Sequence, residues 1–186
     1  MTTQRQIIYN CVRSCVYFRK ISRQVSLDEP YIHIKNVLAS DAVLGWAKIF
    51  GNNKEKHHWS DFVKCVDTLP FKYESFNSEK ILKATKFTID EWDDYRNNVL
   101  ACRDKIFAHT DSYKEIKDQN PIFPDLSAII YSASCYYSWL FGLWNAAREK
   151  EPLYKHKRVQ NNFSKNIDDE IKKFNLEANT YLSFER

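Results

Sequence analysis

Thr88 to His109, TIDEWDDYRNNVLACRDKIFAH, decides how this chain folds. Thr88 and Glu91 stand three apart ahead of an apolar run, the spacing of a capping box with Thr at N-cap and Glu at N3. Asp90, Glu91, Asp93 and Asp94 load the first turn with negative charge, which the positive end of the helix dipole favours. Trp92, Tyr95, Val99, Cys102 and Ile106 then recur in steps of 3, 4, 3 and 4, the buried face of a helix. The next step of 3 reaches His109. A helix that buries Trp, Tyr and Val thus finishes on Arg103, Asp104 and His109, either as a solvated end or as a site.

The helical pattern extends over most of the sequence. Of 186 residues 44% are apolar and 15% aromatic, too many for disorder and enough for a core without staples. Gly occurs three times and Pro five times, and strand punctuation is missing. The expected fold class is all-α, a single-domain helical bundle over residues 1–186 with about five to seven helices. Its core spans roughly 27–149, flanked by a basic N-terminal helix, 4–24, and a C-terminal helix, 166–183, with Ile167, Ile171, Phe174 and Leu182 as apolar contacts. The net charge of +4 is too mild to name an anionic partner by itself.

Five Cys form no CxxC pair and no even framework. Cys11 and Cys15 share a helical face, and buried thiols of a reducing compartment explain them better than half a metal site. A cytoplasmic location is expected, with no metal site and no cofactor. The first 27 residues hold Arg5, Arg13, Arg19, Lys20 and Arg23 and no acid, leaving −1 for the remainder. Such a start can resemble a transit peptide. Ile7, Ile8, Cys11, Val12, Cys15 and Phe18 instead suit a first helix packed on the core, its arginines snorkelling outward. Arg13 interrupts any signal-peptide apolar region.

A second helix is expected from near Asp28, with Pro30 in its first turn, to Gly51 as the C′ residue. Ile34, Val37, Leu38, Val43, Leu44 and Trp46 provide its apolar surface. In the polar connection GNNKEKHHWSDF, His57 and His58 on an extended segment would point to opposite sides, which disfavours a shared metal. Trp59 pins this loop to the bundle. Two short helical pieces follow, separated at Pro70. Asp125 caps a run from Leu126 to Ala147 that carries no charge and is long enough for a bilayer. Its Ser, Asn, Tyr and Trp residues are spread through its length, and Ser127, Ser134, Ser138 and Asn145 share one face. This is a central bundle helix whose small-residue face admits a close neighbour, with no membrane span.

Arg103 and His109 are separated by about 600° of ideal helix, about 120° away from a shared face. Converging them on one phosphate requires either a helix distortion before His109 or a second copy of the chain. Arg103-Asp104-Lys105-Ile106-Phe107-Ala108-His109 resembles the HEPN superfamily motif, an Arg followed by a polar residue, a short spacer and His. RDKIFAHTD resembles the ending frequent in the abortive-infection AbiU-like branch, and LGWAKIFGNNKEKHHWSDF, Leu44 to Phe62, resembles that branch's W-x-K-x-F-G…HHW segment. Together the two matches cover about the middle third of the chain. The resemblance implies a helical homodimer that joins two Arg–His pairs in a cleft and cuts RNA without a metal.

In that reading Arg103 and His109 are catalytic, with Asp104, Lys105, Thr110 and Asp111 in support and Arg96 and His58 as substrate-binding residues. His109 would move a proton to or from the RNA, and Arg103 would hold its phosphate. The RNA 2′-hydroxyl would be the nucleophile. The family also suggests an antitoxin or nucleotidyltransferase partner. The alternative is a non-catalytic HEPN-fold interaction module that binds a protein, a nucleotide or nucleic acid. Arg103 would then pair with an acid such as Asp104 or Glu91, and His109 would cap the last turn.

Overall fold

The computed structural model describes residues 2–23, 29–52, 54–69, 71–104 and 123–150. The C-terminal helix expected over 166–183 lies outside them. Six helices run in the order α1 (Thr2–Arg23), α2 (Glu29–Phe50), α3 (Trp59–Val66), α4 (Ser78–Thr85), α5 (Ile89–Cys102) and α6 (Leu126–Lys150), with no strand among the described residues. The all-α expectation holds.

α1 and α2 form an antiparallel pair, because the apolar stripe of α1 meets small residues on α2. Ile8, Cys11, Val12, Cys15 and Val16 are buried against Ala39, Ala42, Val43 and Trp46. A Cβ at Gly45 would lie 3.1 Å from that of Cys11, so the two backbones approach closely there. The Cys11 thiol donates to the Ala42 carbonyl at 3.2 Å, and Ser14 donates to Asp41 at 2.6 Å. Contact with Cys15 and burial push the Cys11 thiol well up, so it stays protonated.

α6 lies across this pair and buries Ile129, Ile130, Tyr136, Leu140 and Leu143. Trp46 of α2 donates its indole N–H to Ser132 at 2.8 Å, and Ser132 donates on to the Ala128 carbonyl at 2.6 Å. Around Trp46 stand Phe50, Trp92 and Tyr95, at ring distances of 5.3, 5.5 and 5.7 Å. The pairs with Trp92 and Tyr95 are edge-to-face, an arrangement that contributes about 0.5–1.5 kcal/mol per pair beyond the area buried. The segment before α4 packs on α6 as well. Trp139 donates to the Glu74 carbonyl at 2.7 Å, and Phe76 rests between Tyr136 and Trp139. Gly142 admits Tyr73, whose hydroxyl would be 2.1 Å from any Cβ placed there.

Several details differ from the sequence reading. Arg5 does not snorkel outward but lies against Tyr137, Phe141 and Trp144 of α6, while Arg19 donates to Ser127 and pairs with Asp125. Ile34 and Val37 are exposed, and Val37 lines an open groove with Phe18 and Phe123. Gly51 has no positive φ; the left-handed residue among those described is Lys86, which caps α4 at φ 61°. Asp125 does cap α6, accepting from the Ser127 N–H at 2.8 Å. The Ser127–Asn145 face is a half-exposed flank, with Ser138 open to solvent, because bulky residues take the buried side; the small residues packed inside are Ala128, Ser132 and Ala133. No helix among the described residues is long and apolar enough to cross a membrane.

Ser132 is the acceptor that a buried indole N–H requires. Ser132→Ala is therefore expected to lower the unfolding free energy by about 1–3 kcal/mol, read from urea denaturation. An unchanged midpoint would show that Trp46 does not depend on this bond.

Candidate functional site

α5 begins as its sequence requires. Thr88 accepts from the Glu91 N–H at 3.3 Å, and the Glu91 carboxylate accepts from the Thr88 N–H at 2.7 Å. The bonds that the Glu91 carboxylate accepts from the Thr88 N–H and hydroxyl hold it below its usual range. Trp92, Val99 and Cys102 are buried, and Tyr95 donates its hydroxyl to the Asp125 carbonyl at 2.7 Å. With that face committed to the core, Arg96 and Arg103 fall seven residues apart along the flank of α5, both half-buried.

At Arg103 and Asp104 the backbone leaves the α-helical path in a π-helical turn. Such turns widen a helix and change the direction of the side chains that follow. The turn falls between Cys102 and His109, where the sequence allowed for a helix distortion. Ile106, Lys105, His109, Thr110 and Asp111 lie outside the described residues.

Opposite α5, the chain leaves α2 at Gly51. A Cβ there would sit 2.3 Å from the Ala47 carbonyl oxygen and 2.9 Å from Leu100 of α5, so the glycine permits close approach. Two turns follow, closed by Glu55 N–H to Asn52 at 2.9 Å and His58 N–H to Glu55 at 2.9 Å. Gln4 of α1 fastens their far end. It donates to the His57 carbonyl at 2.8 Å while accepting from the Tyr136 hydroxyl at 2.8 Å. His58 is buried, and its Nδ1 accepts from the Ser60 N–H at 3.3 Å as the N-cap of α3. Trp59 does pin the loop, at 5.4 Å from Phe76.

The loop and α5 meet at Arg103. Its Nη1 donates to Glu55 at 3.0 Å and its Nε to Asp104 at 2.6 Å, with 16% of the side chain exposed. The Asp104 hydrogen bond and the nearby Glu55 charge raise the Arg103 pKa against the opposing effect of burial. Glu91, also weighed as a partner, is engaged at the start of α5 instead. Arg96 pairs with Asp93 at 3.2 Å and lines two clefts. One, of about 540 Å³, is bounded by Gly51, Asn52, Lys54 and Glu55. The other, of about 280 Å³, includes His58, Trp59, Ser60 and Trp92. Arg96, Arg103 and His58 are thus gathered where the loop faces α5, with Arg103 joined to the loop through Glu55.

Sequence reading missed Glu55 and Gln4. Glu55 is a lone acid between two lysines in a polar loop, and nothing local reveals a partner 48 residues away. Gln4 looked like one polar residue in an amphipathic helix. Among the described residues, no three His, Cys, Asp or Glu side chains are grouped as metal ligands. No family model, no curated protein and no solved structure matches the chain.

Burial, helped by the positive charges of Arg96 and Lys64 and opposed by Asp61, lowers the His58 pKa. The unfolded chain therefore binds a proton near pH 6.5 that the folded chain resists, so stability should fall as the pH drops below that value. His58→Asn keeps a cap acceptor without the titration. Between about pH 7.5 and 5.5 the melting temperature of the wild type should fall more than that of His58→Asn. Parallel curves would remove His58 from the explanation.

Proposed function

We propose that this chain is a metal-independent RNA endonuclease of HEPN type, a defence or toxin component that works as a homodimer. The observation that carries the reading is the Arg103–Glu55 contact at 3.0 Å, which joins the two segments resembling the AbiU-like branch. Beside it lies a cleft with Arg96 and Lys54 on its walls. A guanidinium fork suits a phosphodiester, whose charge it offsets as the transition state forms. His109 takes the 2′-hydroxyl proton or protonates the leaving 5′-oxygen. The 2′-oxygen attacks phosphorus and the 5′-oxygen departs, so the reaction needs no external nucleophile. Asp104 orients Arg103, and Lys105 adds positive field, with Thr110 and Asp111 in support. Arg96 and His58 bind flanking parts of the RNA. An antitoxin or nucleotidyltransferase partner holds the activity in check.

A second reading is favoured by one observation: carboxylates already engage Arg103, and Arg96 is paired as well. A non-catalytic HEPN-fold module that binds a partner protein, a nucleotide or nucleic acid would tolerate this permanently.

Purified protein incubated with labelled RNA in EDTA separates the two. The endonuclease cuts, His109→Ala lowers the rate by roughly 10²–10⁴-fold without early melting, and Arg103→Lys is also severe because an ammonium cannot reproduce the fork. A wild type that never cuts, with His109→Ala losing about 1–2 kcal/mol of stability, supports the module.

A further inference from the structure

Arg103 presents a guanidinium whose bonded edges both carry carboxylates, but the two acids are held differently. Asp104 is its neighbour in sequence and bonds Nε at 2.6 Å, which fixes the plane of the fork. Glu55 reaches Nη1 across 48 residues from the loop, at 3.0 Å, with 37% of its side chain exposed. Among the described residues its carboxylate bonds to Arg103 alone, whereas its backbone is anchored separately by the two turns and by Gln4 on His57. A rotamer change would therefore free Arg103 without moving the loop. Glu55 also lines the 540 Å³ cleft, together with Lys54 and Arg96.

We propose that Glu55 is the resident occupant of a phosphate site: a phosphate anion displaces its carboxylate from Arg103 and is held there by Arg103, with Lys54 and Arg96 flanking. This rests on the endonuclease reading for the identity of the anion as an RNA phosphodiester. Glu55 thereby sets affinity. Each anion that binds must compete with an internal carboxylate, so the apparent affinity is the intrinsic affinity multiplied by the fraction of time Arg103 is free of Glu55. The cluster is also neutral while Glu55 is present. Arg96, Arg103 and Lys54 balance Glu55, Asp93 and Asp104, and losing the Glu55 charge leaves one net positive charge.

The test titrates inorganic phosphate against the melting temperature of the full chain, for wild type, Glu55→Gln, Arg103→Gln and the double variant, with Glu55→Ala as a second form of the loop substitution. Glu55→Gln should lower by roughly tenfold the phosphate dissociation constant fitted from the rise of melting temperature with concentration, Glu55→Ala should act in the same direction, and the gain should vanish when Arg103 is Gln. Unchanged dissociation constants in both Glu55 variants, or a gain that persists without Arg103, would overturn the proposal. RNA cleavage in EDTA is scored separately. A phosphate gain without cleavage leaves Glu55 in its role and removes the endonuclease, whereas cleavage by the wild type without a phosphate gain removes the role of Glu55 alone.

Discussion

The hydrogen bond from Trp46 to Ser132, at 2.8 Å, fixes α2 on α6, and the placement of the site follows from it. A buried indole N–H without an acceptor costs about 1–3 kcal/mol, so the register between the two helices is set at this point. The ring of Trp46 is then a platform for Trp92 and Tyr95, which seat α5. Because α5 is held by those two residues, Arg96 and Arg103 must emerge on its flank. Because α2 ends one turn beyond Trp46, Gly51 comes against Leu100 and the loop that follows faces that same flank. Gln4 extends the constraint by joining the loop to Tyr136 of α6. The same aromatic core therefore positions both halves of the cleft.

The electrostatics of that cleft work against tight anion binding in the observed state. Two arginines and Lys54 are matched by Asp93, Asp104 and Glu55, and Arg103 is more firmly charged because of its carboxylates. For the proposed endonuclease, such balance would restrain indiscriminate cutting. The guanidinium is kept ordered by Asp104 while Glu55 limits access to it, so preorganisation and restraint are carried by different acids.

Local chemistry made part of this legible in the sequence. The capping box of Thr88 and Glu91 and the Trp92–Cys102 stripe depend on residues three or four apart, and both are present in the fold. The same holds for the α1 stripe and for Asp125 at the start of α6. Long-range choices were not legible. Ile34 and Val37 have the periodicity of core residues, yet both are exposed in the fold, and no local signal separates them from the buried Val43 and Trp46. The Ser127–Asn145 face was regular enough to suggest close packing, but burial of Ile129, Tyr136 and Leu140 turned it to the flank. Arg5 reads as a surface cation until three aromatic rings of α6 are placed beside it. Within the site, Arg103 and His58 lie in the two segments that the resemblance singles out, and Arg96 was named beside them. Glu55 was not, since its meaning lies in a contact with Arg103.

The chemistry proposed for Arg103 and His109 leaves a product signature in the ends of the cut RNA. Attack by the 2′-oxygen expels the 5′-oxygen and leaves a 2′,3′-cyclic phosphate on one fragment and a 5′-hydroxyl on the other. The direct measurement is mass spectrometry of the ends produced from a defined RNA oligonucleotide in EDTA, beside the same oligonucleotide with 2′-deoxyribose throughout. Cyclic phosphate ends from the RNA and an intact deoxy substrate are the predicted result. Fragments with 5′-phosphate ends, or cutting of the deoxy substrate, would contradict it.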